Sequence, residues 1–141
     1  MTARVLVVDD IMSNVKLLEA KLTAEYFDVV TAFNGLECLA RMAENVPDIV
    51  LLDLGLPGMN GYEVARTIRS QPEFGTPLLV AVTGWNAPDE RLRTKEAGFD
   101  EHLTKLVDIS MIELLLTHLP ERPVGGNNPP ISEDQTIVIS R

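Results

Sequence analysis

Short runs of apolar residues alternate along the chain with segments in which apolar residues recur at helical spacing. The runs are rich in β-branched side chains, which is typical of strands buried on both faces of a sheet. They predict strands over residues 4–8, 28–32, 49–52, 78–82 and 101–104. Because each strand is followed by a helical segment, the pattern predicts a doubly wound α/β fold with a parallel sheet and helices on both faces.

Helical periodicity predicts helices over residues 13–25, 36–44, 62–69, 88–97 and 109–119. Ser13 is expected to cap the first helix, because serine is a favoured N-cap residue. Gly98 is expected to end the fourth helix in the C′ position. The apolar positions predict that the second helix buries Leu36, Leu39, Ala40 and Ala43, and that the third buries Val64, Ala65 and Ile68.

The length of 141 residues, of which 45% are hydrophobic, is enough for one domain with a proper core and too short for two. We assign residues 1–119 to this domain. Residues 120–141 contain a cluster of Pro, Gly and Asn, which predicts a flexible linker or a disordered tail.

The formal net charge of −9 argues against a nucleic-acid surface and against a surface for anionic membranes, both of which require clustered basic residues. The single cysteine, Cys38, excludes an internal disulfide and is expected to pack as a small hydrophobic residue. No secretory signal is visible, and no apolar run approaches the roughly 18–20 residues of a membrane span. We therefore expect a soluble, cytoplasmic protein.

Chemically active side chains follow the predicted strands. Asp9 and Asp10 follow the first strand, Asp53 the third, Thr83 the fourth and Lys105 the fifth. Because the carboxyl ends of parallel strands share one edge of the sheet, these groups are expected to converge. Three carboxylates repel one another, so that Lys105 and a hard divalent cation such as Mg²⁺ are the natural counter-charges. Such a set suits phosphoryl transfer with a carboxylate as the nucleophile.

This set resembles the receiver domain of bacterial two-component response regulators. The matching features are the acidic pair Asp9-Asp10, the loop that runs from Asp53 through Pro57 to Gly61, the pair Thr83-Gly84, and Lys105. The resemblance covers residues 3 to about 119. It implies a flavodoxin-like (βα)5 fold with a five-stranded parallel sheet in the order 2-1-3-4-5.

The resemblance implies that Asp53 accepts a phosphoryl group from a histidine kinase or a phosphotransfer protein. It implies that Mg²⁺ is held by Asp10, Asp53 and the backbone carbonyl of Gly55, while Asp9 acts partly through a bound water. The domain would catalyse only its own phosphorylation and dephosphorylation, and would otherwise serve as a signalling domain and not as an enzyme.

The resemblance also implies a conformational switch. Thr83 would donate its hydroxyl to the phosphoryl group and move inward, Lys105 would pair with the acyl phosphate, and space would open for the ring at His102. The surface of the last two helices would then shift. Any homodimer promoted by phosphorylation is expected to form through these helices, with Leu116 contributing to the contact.

The sequence departs from the family pattern at two positions. Leu106 stands where the family usually has a proline that follows the lysine through a cis bond. A cis bond before a residue other than proline costs roughly 3–4 kcal/mol, so we expect a trans bond here, and slower phosphoryl transfer. His102 stands where tyrosine or phenylalanine is commoner.

Three other functions fit the pattern less well. A pseudo-receiver would keep the fold and bind a partner without phosphorylation, and Leu106 is the best support for it. A flavin or nucleotide protein of the same topology would need a phosphate cradle after the first strand, where Asp9 and Asp10 would repel phosphate. An aspartate-based phosphatase would have a second Asp two residues after Asp53, where this chain has Gly55.

Overall fold

A computed structural model of the chain describes residues 3–84, 88–105 and 109–117, with only the backbone described at 88, 89, 109, 116 and 117. The predictions for Leu106, for the side chain of Leu116 and for residues 118–141 lie outside the described residues. The elements are β1 (Arg4–Val8), α1 (Met12–Ala24), β2 (Asp28–Ala32), α2 (Gly35–Glu44), β3 (Ile49–Asp53), α3 (Gly61–Ser70), a 3₁₀ turn (Pro72–Phe74), β4 (Leu78–Thr83), α4 (Pro88–Ala97), β5 (Glu101–Thr104) and α5 (Ile109–Thr117). Within the described ranges, no helix is both long and apolar enough to cross a membrane.

The five strands form one parallel sheet in the order β2-β1-β3-β4-β5, as predicted. Backbone hydrogen bonds continue between the strands at their carboxyl ends. The amide of Asp9 donates to Ala32 O at 3.2 Å, and the amide of Lys105 donates to Thr83 O. Asp9 and Lys105, which follow β1 and β5, are therefore fixed by backbone hydrogen bonds to the neighbouring strands.

The sheet separates two apolar cores, and successive residues of the central strands point into opposite ones. One core contains Leu6, Val8, Val50, Leu52, Leu79 and Ala81, and the other contains Val5, Val7, Ile49, Leu51, Leu78, Val80 and Val82. The first is covered by α2 and by α3, which buries Val64, Ala65 and Ile68 as predicted. The second is covered by α1 through Leu22 and by α5 through Ile112 and Leu115. Burial on both faces accounts for the unbroken apolar runs in the sequence.

Helix α1 begins one residue earlier than predicted, and the expectation that Ser13 caps it is wrong. The N-cap is Ile11, whose side chain makes no capping bond, and Ser13 is exposed in the first turn. The carboxylate of Asp9 accepts from the amide of Ile11 at 2.9 Å. Asp9 thus turns the chain into the helix before Ser13 is reached.

Helix α2 packs through a different face from the one predicted. Cys38 and Met42 are buried, and Leu39 packs partly against the core, whereas Leu36 is 71% exposed. Ala40 and Ala43 are also exposed, so the predicted apolar face is wrong except at Leu39. The orientation of the helix follows from Gly35, where an added Cβ would lie 2.8 Å from Cγ2 of Val64, so that the first turn of α2 rests on α3.

Arg69 of α3 joins three parts of the fold beside the β4–β5 edge of the sheet. Its guanidinium donates to the carbonyls of Gly98 and Pro77, both at 2.9 Å, and to Oδ2 of Asp100 at 2.7 Å. The same oxygen of Asp100 accepts from the amide of Leu79 at 2.9 Å. Because Gly98 has φ +109, it ends α4 as predicted and brings its carbonyl to Arg69.

Substituting Arg69 by alanine is expected to lower the free energy of unfolding by about 3 kcal/mol, because Asp100 would keep a largely buried charge without its partner. Chemical denaturation measures this change. Arg66→Ala, on an exposed position of the same helix, is the matched control and is expected to stay within about 0.5 kcal/mol. Equal effects of the two substitutions would contradict a structural role for Arg69.

Candidate functional site

Three carboxylates meet at the carboxyl edge of the sheet. Asp9, Asp10 and Asp53 each offer an oxygen atom, and these atoms lie within 4.8 Å of one another. Asp9 and Asp53 are buried, with 8% and 5% of their surface exposed, whereas Asp10 is exposed. The cluster forms because β1 and β3 are direct neighbours in the sheet, so that residues at their ends are forced together.

Lys105 brings one positive charge to this cluster from the end of β5. Its Nζ lies 3.4 Å from Oδ2 of Asp53 and 3.6 Å from Oδ2 of Asp9. One β-strand lies between β3 and β5, and the long lysine side chain spans it. One ammonium group facing two buried carboxylates, with a third nearby, leaves the cluster with excess negative charge.

Asp53 is held firmly in an unfavourable electrostatic environment. The amide of Gly55 donates to Oδ1 at 3.0 Å, and Lys105 lies beside Oδ2. Burial, and to a lesser degree the charge of Asp9, raises the pKa of Asp53 above its ordinary value, while the bond from Gly55 and the charge of Lys105 act in the opposite direction. A cation at the cluster would relieve this repulsion.

The loop after Asp53 returns closely onto the strand. An added Cβ at Gly61 would lie 2.7 Å from the carbonyl oxygen of Asp53 and 2.8 Å from Cα of Leu54, so no larger residue fits there without displacing the backbone. Asn60 caps α3 and forms a capping box with Glu63. The start of α3 thereby acts as a fixed support for the backbone that carries Asp53.

A cavity of about 430 Å³ opens over the cluster. Its inner wall contains Asp10, Asp53, Gly55, Thr83 and Lys105, and its outer wall contains Tyr62, Glu90 and Arg93. The structure thus places Gly55 and Thr83 around the same space as the acids and the lysine. The acids and Lys105 are directly brought together, and Thr83 is buried at the end of the adjacent strand β4.

The outer wall of the cavity was not predicted from the sequence. Glu90 and Arg93 lie three residues apart on α4, and the guanidinium of Arg93 stands 4.5 Å over the ring of Tyr62. A second unpredicted contact is the amide of Asn14, whose Nδ2 donates to Oδ2 of Asp9 at 3.3 Å. The signal available in the sequence was the helical spacing of Glu90 and Arg93 in the helix that follows β4.

His102, predicted as a switch residue, lies in β5 behind this outer wall. It is 8% exposed, and its Nε2 is 3.8 Å from Oε1 of Glu90. Burial lowers the pKa of His102 below its ordinary value, which favours the neutral form of the ring. Cys38 is buried as predicted, and burial raises the pKa of its thiol to about 12, which makes it unreactive.

Comparison with known proteins gives one consistent family. Residues 5–117 match the family described as the response regulator receiver domain. Response regulator PleD of Caulobacter vibrioides is 46% identical over 136 residues, which cover 89% of this chain and 30% of PleD. The DNA-binding response regulator MtrA of Mycolicibacterium paratuberculosis is 38% identical over 105 residues, covering 74% of this chain and 45% of MtrA. The chain thus spans less than half the length of these two relatives.

Solved structures show the same fold. The chemotaxis protein CheY4 of Vibrio cholerae superimposes with a TM-score of 0.78 at 25% identity, covering 85% of this chain and 100% of that one. The receiver domain of the sensor histidine kinase PA1611 of Pseudomonas aeruginosa, solved with magnesium in its active-site cleft, gives a TM-score of 0.74 at 24% identity, covering 83% and 96% of the two chains. The predicted flavodoxin-like arrangement with strand order 2-1-3-4-5 is confirmed.

Gly61→Ala is expected to destabilise the protein by about 1–3 kcal/mol, because the added methyl group meets backbone atoms that cannot move independently. Gly55→Ala is the matched control in the same loop, since an added Cβ there has room and meets only Oδ1 of Asp53 at 3.8 Å. Thermal and chemical denaturation of the two variants give the comparison. If Gly55→Ala loses as much stability as Gly61→Ala, the close approach of Gly61 to the backbone of Asp53 is not the cause.

Asp53→Asn is expected to stabilise the metal-free protein by roughly 1 kcal/mol at neutral pH. Because the pKa of Asp53 is raised in the folded state, ionising this carboxyl costs stability at neutral pH, and the cost disappears as the pH falls through the raised pKa. The advantage of the variant should therefore shrink in acid. Denaturation curves over a range of pH measure it, and a variant less stable than the parent at neutral pH would contradict the repulsion.

Proposed function

The chain belongs to the response regulator receiver domain family, and on that premise we propose that it is a Mg²⁺-dependent phosphoacceptor of a two-component phosphorelay. Asp53 would accept the phosphoryl group from a histidine kinase or a phosphotransfer protein. Acceptance would change the conformation of the domain, which passes the signal to a partner. Receiver domains are signalling domains, and the only reactions proposed here are the phosphorylation and dephosphorylation of Asp53.

The single observation that carries this proposal is the group of three carboxylates with Lys105 beside Asp53. An Asp that is buried to 5% exposure and lies against a second buried carboxylate is costly unless the site has a use for it. Its Oδ2 faces the lysine at 3.4 Å, and the cavity above it is open. A nucleophile, a counter-charge and an entrance are thus combined at one place.

The residues present fit a magnesium ion. Mg²⁺ prefers a small number of carboxylate oxygens with water and phosphate oxygens as its further ligands. Asp10, Asp53 and the carbonyl of Gly55 would hold it, and Asp9, fixed by bonds to Ile11 N and Asn14, would contribute partly through a water. When bound, the ion would neutralise charge on the phosphoryl oxygens.

The transfer itself requires little covalent chemistry from the protein. A carboxylate oxygen of Asp53 forms a bond to phosphorus, and the bond from phosphorus to the donor nitrogen breaks, with its electron pair staying on the donor imidazole. The ammonium of Lys105 and the hydroxyl of Thr83 would stabilise the negative oxygens of the transferred group. The bond from Gly55 N to Oδ1 keeps the nucleophile in a fixed orientation.

The response to phosphorylation would begin at Thr83 and reach His102 and the last two helices. Thr83 ends β4, and His102 lies in the neighbouring strand opposite Ala81, so a change at one strand end has a short path to the other. We infer that residues 1–119 form this switch and that residues 120–141 serve as a linker or tail. A homodimer promoted by phosphorylation would use the last two helices, including Leu116.

The pseudo-receiver is the second candidate, and it is favoured only by Leu106 in place of the family proline. The three acids are retained, and the ammonium of Lys105 lies within 3.6 Å of both buried carboxylates. These two features support a working phosphoacceptor instead. A domain that only bound partners would gain nothing from this repulsive arrangement.

Incubation with acetyl phosphate and Mg²⁺ is expected to add one phosphoryl group, seen as a mass gain in intact-protein mass spectrometry. The gain should disappear in Asp53→Asn and on chelation of the metal, and should remain in Asp28→Asn, which removes an exposed acid far from the site. Lys105→Ala should slow the gain without changing the position of modification. Absence of any gain in the parent protein with a competent donor would favour the pseudo-receiver.

A further inference from the structure

Tyr62 and Glu90 of the outer wall, and His102 behind it, carry buried polar atoms that do not form hydrogen bonds with one another. The hydroxyl of Tyr62, Oε1 of Glu90 and both ring nitrogens of His102 have no hydrogen-bond partner among the residues that the structure describes. They come from α3, α4 and β5 in turn. Buried polar atoms without partners are rare in folded proteins, and each of them calls for a physical explanation.

Glu90 and His102 are close without being bonded. Oε1 of Glu90 lies 3.8 Å from Nε2 of His102, and their side chains are 21% and 6% exposed. This distance is too long for a hydrogen bond, yet short enough for a strong interaction once the imidazole carries a charge. A shift of about 1 Å in either side chain would bring the pair to bonding distance.

The charged groups around His102 oppose one another. From α4, Glu90 favours the imidazolium and Arg91 disfavours it, while burial disfavours it most, so that the pKa of His102 is lowered. Within β5, the carboxylate of Glu101 accepts from the amide of His102 at 3.0 Å. From α3, Tyr62 lies near Glu90. Burial of the phenol, and after it the charge of Glu90, raises the pKa of Tyr62, while Arg93 over its ring acts in the opposite direction.

We propose that Glu90 and His102 form a proton-controlled latch between α4 and β5. The latch is open when the imidazole is neutral, as in the described conformation, where the two groups stand apart. Protonation in mildly acidic solution closes it into an ion pair with a charge-assisted hydrogen bond, which draws the start of α4 toward β5. Closure would give a partner to Oε1 of Glu90 and to Nε2 of His102, which have none in the open arrangement.

The latch has a consequence for signalling that rests on the function proposed above. If the phosphoryl group at Asp53 displaces the elements around His102, then protons and phosphorylation act on the same element and must influence each other reciprocally. The receiver would then respond to acid as well as to its phosphodonor.

Proton NMR titration of the imidazole signals tests the electrostatic contact directly, in the metal-free protein without any donor. The chain has two histidines, so His118→Gln identifies the signal of His102. We expect a midpoint below the ordinary value in the parent, a lower one in Glu90→Gln, and a higher one in Arg91→Gln. Glu96→Gln, on an exposed position of the same helix, is the control and should leave the midpoint unchanged. An unchanged or raised midpoint in Glu90→Gln would overturn the latch.

The movement is tested by the backbone amide signals of α4 in the same titration. In the parent protein, these signals should shift with the midpoint of His102, and the shift should be absent in Glu90→Gln and in His102→Gln. If the α4 amide signals of the parent do not shift at the pH of the His102 midpoint, the pair titrates without moving the helix. That result would overturn the latch as a conformational device.

A final titration with Mg²⁺ and beryllofluoride, a mimic of the phosphoryl group, separates the latch from the proposed function. If the midpoint of His102 changes when beryllofluoride and Mg²⁺ are bound, the result supports coupling between phosphorylation and the latch. An unchanged midpoint overturns that coupling. Failure of beryllofluoride to bind at all would count against the phosphoacceptor function. The metal-free titrations would still decide the latch.

Discussion

The crowding of three carboxylates at one edge of the sheet is the constraint on which the site depends. The strand order places the ends of β1 and β3 side by side, and this brings Asp9, Asp10 and Asp53 together. Lys105 offsets part of the repulsion, and burial of Asp53 intensifies it. The cluster is therefore stabilised by whatever brings positive charge to it, and the bond from Gly55 keeps the carboxylate of Asp53 in place.

Such repulsion is tolerated because the surrounding scaffold is rigid. Gly61 brings the start of α3 into contact with the backbone of Asp53 itself, and the amide of Gly55 holds the carboxylate from the other side. At the opposite end of α3, Arg69 ties the helix to Gly98, Pro77 and Asp100. The same helix thus supports Asp53 at its first turn and anchors the β4–β5 side of the sheet at its last.

The polar groups near α4 differ from this anchored region. All three guanidinium nitrogens of Arg69 donate to acceptors, whereas Glu90, Tyr62 and His102 have buried polar atoms with no partner among the described residues. Satisfied polar networks rigidify a fold, while buried polar groups without partners are costly. The contrast separates the anchored end of α3 from the region between α4 and β5, to which the proposed latch assigns two arrangements.

The amino-acid sequence by itself determined the strands, the parallel sheet and the residues that follow each strand, because runs buried on both faces are local patterns and parallel strands must end at one edge. It did not determine which side of α2 faces the core, since Leu36 and Ala40 compete at helical spacing with Cys38 and Met42. Nor did it reveal that Asp9, and not Ser13, turns the chain into α1. Those choices, and the meeting of Tyr62, Glu90 and Arg93 over Asp53, were decided only by the tertiary structure, because they depend on how closely separate helices can approach one another across the sheet.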